Sequence, residues 1–360
     1  MKSPESNRAP GMAGFRMPAE WEPHTATWLA WPHHHDDWPG KFEKIPPVFV
    51  AMARELARVE RVRLIVNDAA SGEIARRVLT AGDVDLRQVD FFEAPTDRSW
   101  TRDFLPLFVK RETEVAAVKW KFDGWARYDN HQKDDAAGRT VAKWLNMRSI
   151  DALAERDGRP VNVVLEGGAI DIDGEGTLLA SRDCLVDGPN ARNRWLGTGG
   201  TERVLADYLG IERVVWVGAG VVGDDTAGHV DDFVRFVAPG KVVLAEESDT
   251  RDPNYAALEA TREILEGARD ARGRTLEILR LPMPRPVLWE TERLPASYAN
   301  YYVANDLVLV PVFDDASDSA ALGIIAELFP ARRVVGIDAR DLVLGLGTVH
   351  CSTHEEPAAR

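Results

Sequence analysis

The stretch "TERVLADYLGIERVVWV" (Thr201–Val217) carries two periodicities in succession. Its first half is an amphipathic helix pattern, a short turn follows at Gly210, and an Arg leads into a β-branched strand. The same order stands in "VAMARELARVERVRLIV" (Val50–Val66) and in "GIIAELFPARRVVGI" (Gly323–Ile337). Hairpin-like stretches precede two of the three, "GGAIDIDGEGTLLAS" before Thr201 and "NYYVANDLVLVPV" before Gly323. A further copy is "DDFVRFVAPGKVVLAEE" (Asp231–Glu247), followed by the helix pattern "YAALEATREILEGA" and the strand "TLEILRLP". An earlier one is "LPLFVKRETEVAAVKWKF" (Leu105–Phe122), followed by a helix near residues 136–145 and the strand "VNVVL" (Val161–Leu165). The first copy is less complete: the strand "TATWLAW" (Thr25–Trp31), then a helix over Pro46–Ala57.

The chain therefore reads as five ββαβ units spaced by roughly 65 residues. Each unit has an apolar sheet face that it cannot bury alone, and five copies closing on themselves would bury it. The expected fold class is α/β, a five-fold pseudosymmetric α/β-propeller. An open doubly wound sheet is the alternative, but it is built from single-strand βα steps and has no place for a hairpin in every unit.

At 360 residues, 45% hydrophobic and 28% charged, the composition is that of a globular enzyme. Residues 1–15 read as a disordered polar tail and residues 16–360 as a single catalytic domain. The start has no apolar core of a secretory signal, and no apolar run approaches the ~18 residues of a membrane span. Two cysteines, Cys184 and Cys351, cannot form a disulfide framework. A cytoplasmic location and no membrane partner are expected. The net charge of −14 argues against nucleic acid and suits a small cationic substrate. Whether the chain forms a homo-oligomer is open.

The repeat also orders the polar residues. Asp103 in "SWTRDFLP", Glu166 in "VLEGGAID" and His229 in "TAGHVDD" each stand just before a hairpin, and successive members are 63 residues apart. In a ring of equivalent units such positions converge on one axis. Asp231, two residues after His229, would share its face on a strand and orient the imidazole. Cys351 follows the glycine-rich approach "GLGTVHCST", where the backbone can come close to a reacting centre. A buried structural role is its alternative. Cys184 has no such context and is read as structural. Carboxylates with Cys and His suit a guanidinium, whose paired N–H donors carboxylates accept bidentately. Cys351 would add to the guanidinium carbon and His229 would protonate departing ammonia. His229 would then deprotonate the water that releases a ureido product. No cofactor and no metal are called for.

The sequence resembles the agmatine deiminase family, the bacterial peptidylarginine-deiminase-like group of the guanidino-group-modifying (pentein) superfamily. The matching segments run nearly the whole chain: "MPAEWEPHTATWLAWP", "SWTRD", "EGGAIDIDGEGTLLAS", "GDDTAGHVDDFVRF", "SYANYYVANDLVLVPVF" and "GTVHCSTHEEP". The resemblance implies Cys351 as nucleophile and His229 as acid/base. It implies Asp103, Glu166 and Asp231 as carboxylates around the guanidinium and the histidine, with Trp100 as a pocket wall. It also makes "WPHHHDDWPG" (Trp31–Gly40) a lid over the pocket, with Asp36, Asp37 or Trp38 near the substrate's tail.

Three departures bear on the pocket. Phe104-Leu105 replaces the family's small residue and glycine after the substrate carboxylate, and is expected to narrow the site or make it more apolar, the alternative being that Phe104 packs outward into the hairpin core and changes nothing. Ala227 stands for the common Asn, and "HCSTHEE" for H-C-x-T-Q-Q. Agmatine is the expected substrate. Arginine, peptidylarginine or a methylarginine is the rival, and a non-catalytic guanidino- or polyamine-binding protein is the rival from another class. Two further motifs are read blandly. His33–His35 are consecutive and point different ways, unlike the spaced ligands of a zinc site. The GxGxxG of Gly218–Gly223 precedes a turn and a strand, where a dinucleotide fingerprint should open a helix.

Overall fold

The computed structural model describes residues 9–218 and 220–359. It is an α/β protein built from five small mixed sheets, each assembled the same way. The second unit shows the plan. β4 (Leu107–Arg111) and β5 (Glu114–Lys119) form an antiparallel hairpin, α4 (Gln132–Trp144) crosses over, and β6 (Arg148–Asp151) returns parallel to β5. A one-turn helix, α3 (Thr101–Phe104), precedes this hairpin. The third unit repeats the plan with β9 (Ile170–Ile172), β10 (Thr177–Ser181), the short α5 (Arg182–Leu185), α6 (Gly197–Leu209) and β11 (Arg213–Val217). The fourth has β12 (Val234–Ala238), β13 (Lys241–Glu246), α7 (Pro253–Gly267) and β14 (Glu277–Pro282). The fifth has β17 (Tyr302–Val303), β18 (Leu307–Val312), α8 (Asp318–Leu328) and β19 (Arg333–Asp338).

The first unit explains its incompleteness in the sequence. β1 (His24–Ala30) runs parallel to β2 (Arg61–Val66) after the crossover α1 (Ile45–Leu56), as the plan requires. Its antiparallel partner is β20 (His354–Pro357), from the other end of the chain. An extra helix, α2 (Ala69–Ala81), and strand, β3 (Val89–Glu93), extend the far edge.

Local chemistry accounts for the element ends. Asp68 and Ser71 form a reciprocal capping box on α2. Asp252 caps α7, whose first residue is Pro253. α6 stops at Gly210, whose φ of 72° is left-handed. Its buried stripe is Val204, Leu205 and Leu209. The middle strands read as near-continuous apolar runs because both of their faces are covered, as in β10, where all five residues are buried.

Two expectations need correction. The third strand of the second unit is Arg148–Asp151, not Val161–Leu165. The chain turns sharply at Asn146 (φ 49°) and re-enters the sheet at once. "VNVVL" instead ends an inserted hairpin, β7 (Leu153–Arg156) and β8 (Arg159–Asn162), turned at Asp157-Gly158 with both φ positive. A second insertion, β15 (Leu288–Trp289) with β16 (Glu292–Arg293), lies between the fourth and fifth units. The expected tail falls partly on residues 1–8, outside the described residues. Within 9–15, Gly11–Ala13 form a 3-10 turn against α6 and Phe15 is buried, so the packed chain begins before residue 16. No described helix is long and apolar enough to cross a membrane.

Candidate active site

The segments just ahead of the hairpins meet. Asp103 lies in α3, ahead of β4. Glu166 precedes the turn Gly167–Ala169 and β9. His229, Asp231 and Asp232 flank or form the turn before β12. Asn300 precedes β17, and Cys351 precedes β20. Every unit thus supplies one of these residues, the first doing so through the strand it borrows from the C-terminal segment.

Cys351 is buried at 8% exposure. Asn300 Nδ2 donates to its sulfur at 3.2 Å, and Asp231 Oδ2 lies 3.7 Å away. Asn300 Nδ2 also donates to Asp232 Oδ1 at 3.0 Å. Asp103 accepts from Trp125 Nε1 at 2.9 Å and from the Gly168 amide at 3.0 Å. Glu166 Oε1 accepts from Arg192 Nε at 2.7 Å, while Oε2 has no partner. The Nδ1 of His229 is 3.8 Å from Asp103 Oδ1, and its Nε2 has no partner.

The pairing expected of His229 with Asp231 is replaced. His229 caps the 3-10 turn Val230–Asp232 and Asp231 lies within it, so the two are not on a strand and do not share a sheet face. The imidazole hydrogen-bonded to Asp231 is that of His350, at 2.7 Å, and the other ring nitrogen of His350 meets Glu20 at 2.7 Å. Each ring nitrogen of His350 thus faces a carboxylate. Glu20 also meets Arg102 and Arg235, each at 3.1 Å, so the floor of the site is a buried charge network. Arg102 pairs with Glu355 and Glu20 and not with Asp103.

The glycines have specific work. A Cβ on Gly168 would lie 2.6 Å from His229 Nδ1 and about 3 Å from carboxylate oxygens of Asp103 and Asp231. A Cβ on Gly167 would meet the Arg102 carbonyl at 2.3 Å. On Gly345 it would strike the indoles of Trp38 and Trp100, and on Gly347 both Trp100 and the Cβ of Cys351. The "GLG" approach therefore lets two indoles, tilted on each other with centroids 5.5 Å apart, come close to the chain beside the cysteine.

A pocket of about 450 Å³, its open mouth included, reaches this cluster. Cys351, His229, Asp103, Trp100 and Asp37 line it, with Asp225, Asp232, Trp125, Tyr128 and Arg98 among their neighbours. Glu166 and Asp231 are wholly buried beneath it. Asp37 holds Arg98 at 3.1 Å and His34 at 3.1 Å. Arg98 also bonds Asn130 and lies 4.4 Å over the Tyr128 ring. At the mouth the Tyr128 hydroxyl donates to Asp225 at 2.5 Å.

Crowded burial governs the protonation. Burial, then Asp231 and Glu166, raises Asp103 well above the carboxylate range. Burial raises Glu166 against the pull of Arg192. Burial and Asp231 raise Asp232. Burial works upward on Asp231 too, but the His350 hydrogen bond and charge hold it below its ordinary value. Burial pushes His229 down to about 3 despite Asp231, so the ring is neutral. Burial, Asp231, Asp232 and Asp103 push the Cys351 thiol well up. The site therefore brings together a thiol, a neutral imidazole and an excess of buried acid.

Several expectations change here. Phe104 and Leu105 are not among the residues lining the pocket. Both are buried in the apolar core, Phe104 tilted on Phe122 at 6.4 Å between centroids. The departure after Asp103 thus repacks the core and leaves the pocket's bore alone. His354 to Glu356 of "HCSTHEE" sit in β20, where Glu356 accepts from Trp28 and His354 meets the Pro106 carbonyl. Ala227 sits at φ 70°, a left-handed position that Asn tolerates better. His33 to His35 diverge: His33 faces the Trp31 and Thr96 carbonyls, His34 faces Asp37, and His35 stacks on Phe42. Gly218–Gly223, in which Ala219 lies outside the described residues, leads to the turn before β12 and not to a helix. Cys184 is buried but close to Glu166 and His229, not remote from them.

Residues 16–357 match the model of the Porphyromonas-type peptidyl-arginine deiminase family. An agmatine deiminase of Pseudomonas aeruginosa (strain LESB58) is 36% identical over the full length of both chains. Among solved structures, an agmatine deiminase of Enterococcus faecalis superposes with a TM-score of 0.89 at 29% identity, over 98% of this chain and 99% of that one. A substrate-bound agmatine deiminase from C. jejuni does so with a TM-score of 0.83 at 26% identity, over 95% and 96%. With unit plan, pocket and full-length likeness in agreement, the chain belongs to the Porphyromonas-type peptidyl-arginine deiminase family, in the company of its agmatine deiminases.

Proposed function

We propose that the chain is an agmatine deiminase that converts agmatine to N-carbamoylputrescine and ammonia. One observation carries this reading: a buried thiol and a neutral imidazole line one pocket whose floor holds more carboxylate than cation. A guanidinium supplies the missing charge, with N–H donors for the carboxylate oxygens of Asp103 and for the unpartnered Glu166 Oε2 and Asp231 Oδ1. Its arrival offsets the anions that hold Cys351 protonated, so the thiol proton passes to His229. The sulfur then bonds to the guanidinium carbon. One C–N bond breaks, and the leaving nitrogen takes the proton from His229 and departs as ammonia. The S-alkylthiouronium that remains is attacked by water, whose proton His229 accepts. The C–S bond breaks, the ureido product leaves, and the thiol is restored.

The pocket mouth favours agmatine over arginine. A free α-carboxylate needs a cation, and Arg98, the one Lys or Arg among the described residues lining the pocket, is already tied to Asp37 and Asn130. Asp225, whose cationic neighbour Arg127 is half-exposed and 3.7 Å away, offers negative charge to an amine tail instead, with Asp37 beside Arg98. Asp37 and Trp100 are accordingly read as substrate-contacting walls.

The shared site also bears on the fold. We read the five sheets as blades about one axis and the packed chain from Gly11 onward as one catalytic domain. Contribution from all five units, and the pairing of β20 with β1, support this. Ammonia release measured across agmatine, arginine, peptidylarginine and methylarginines tests the function. The expected result is highest kcat/KM with agmatine and none with Cys351→Ala. A higher value for any other guanidine, or turnover by Cys351→Ala, would overturn it.

A further inference from the structure

Behind the pocket wall lies a second thiol. Cys184 Sγ, a Glu166 carboxylate oxygen and a His229 ring nitrogen all fall within 4.8 Å of one another. All three residues are buried at 1% exposure or less. Glu166 Oε2 and His229 Nε2 are both without a hydrogen-bond partner, a costly state for buried polar atoms. The rest of the cluster is firmly held. Ser181 Oγ caps the Cys184 amide at 3.4 Å, the Cys184 carbonyl accepts from the Arg192 amide at 3.0 Å, and Arg192 grips the other Glu166 oxygen at 2.7 Å.

We propose that Cys184, His229 and Glu166 form a binding site for a thiophilic divalent cation, zinc above all, and that its occupation switches the enzyme off. One sulfur, one imidazole nitrogen and one carboxylate oxygen make a ligand set zinc accepts, with a fourth position left for water. Tetrahedral zinc needs ligand–ligand separations of roughly 3.3–3.8 Å, so the cluster has to close by no more than about 1–1.5 Å. His229 needs no proton removed, since its ring is already neutral. Cys184 must lose one: the S–H bond breaks, the S–Zn bond forms, and the proton goes to solvent. His229 is on the pocket wall, which gives the ion its way in. The ion then occupies the imidazole needed for proton transfer and the Glu166 oxygen a guanidinium would use, so agmatine and zinc exclude each other.

The chain's two cysteines make the test clean. In Cys351→Ala the one remaining thiol is Cys184. Titrating this variant with Co²⁺ should give a thiolate-to-cobalt charge-transfer band that saturates at one ion per chain and is bleached by zinc. The band should vanish in Cys351→Ala/Cys184→Ala. The cobalt measurement does not depend on what the enzyme's substrate is, so its failure is separate from failure of the functional reading. In the second arm, Cys184→Ala and Cys184→Ser in the otherwise native chain should keep turnover and lose zinc inhibition by on the order of tenfold or more. The competing cluster is Asp231, Asp232 and Cys351, also within 4.8 Å of one another. No cobalt band in Cys351→Ala, or undiminished zinc inhibition in both Cys184 variants, would place the ion there and overturn the proposal. If a Cys184 variant fails to fold, the cobalt band alone decides.

Discussion

Gly168→Ala is the smallest change that should disable this enzyme. The residue has no left-handed φ, so alanine suits its backbone and the effect comes from one methyl group. That methyl carbon would sit 2.6 Å from His229 Nδ1, 3.0 Å from Asp103 Oδ1 and 3.1 Å from Asp231 Oδ2, where ordinary contact begins at 3.4 Å. Relieving the closest contact takes a displacement of roughly 0.8 Å, and a misplacement of about 1 Å in an active site costs ~10²-fold in rate. All three neighbours are buried, so none can swing into solvent. Overpacking of this kind also costs about 1–3 kcal/mol of stability. The Gly168 amide would be pushed off Asp103 as well, removing one of the two hydrogen bonds that hold that carboxylate. Steady-state ammonia release and denaturant unfolding measure the two effects separately. Gly199→Ala is the control. It lies in α6 with nothing within 4 Å of the added carbon, and should keep activity and gain about 0.5–1 kcal/mol. A Gly168→Ala enzyme with kcat/KM within about threefold of the parent would refute the convergence of His229, Asp103 and Asp231 on this glycine, since that geometry requires a far larger loss.

Asp225→Asn should raise KM for agmatine by about tenfold with kcat little changed, because it weakens a tail contact made equally in ground and transition states; a fall in kcat with unchanged KM would contradict it. Ala227→Gly should stabilise the fold by about 1 kcal/mol, since a non-glycine residue at φ 70° carries a left-handed penalty; an unchanged or lower melting temperature would count against it. His354, pushed down to about 4 by burial, should make the fold acid-sensitive. The unfolded chain takes up that proton below about pH 6.5 and the folded chain only near 4, so stability is full above 6.5 and falls between them. The deficit of His354→Gln relative to the parent should therefore shrink by roughly 2 kcal/mol from pH 7 to pH 5 in urea unfolding; a constant deficit would show that His354 does not titrate this way.

The repeat was legible because each unit needs the same apolar periods. The equal 63-residue steps from Asp103 to Glu166 to His229 were legible because the inserted β7–β8 hairpin in the first step is matched by the added α5 and its connection to α6 in the second. Counting forward fails at the next step, which lands on Glu292 in the inserted hairpin of β15 and β16. That is why Asn300, the residue bonded to Cys351, escaped notice; counting back from the hairpin "YYVANDLVLV" would have reached it. His350 and Glu20 escaped for another reason. Their partners lie hundreds of residues away in sequence, and a buried charge network leaves no local period. The effect expected of Phe104-Leu105 failed because sequence adjacency to Asp103 does not fix side-chain direction. In the one-turn helix α3, adjacent side chains leave at about 100° to one another, and Phe104 turns to the core.

The borrowed strand ties catalysis to completion of the fold. Cys351 stands three residues before β20, and the hairpin partner of β20 is β1, near the other end of the chain. The same stretch is bound from three sides. The Arg102 amide donates to the Cys351 carbonyl, the His350 amide meets Asn300, and Glu355 pairs with Arg102. Residues from the second and fifth units thus clamp Cys351, the proposed nucleophile, which the first unit's sheet anchors. The Arg102 contacts need the second unit and the Asn300 contacts need the fifth, so the clamp is complete only when both are folded. A partly folded chain therefore has a cysteine but no site for it, and the pocket becomes competent only with the last strand in place. The buried carboxylates impose the same order. Asp231 is held below its ordinary value by His350, which stands next to Cys351, so the carboxylate and the thiol of the proposed mechanism are set by one docking event.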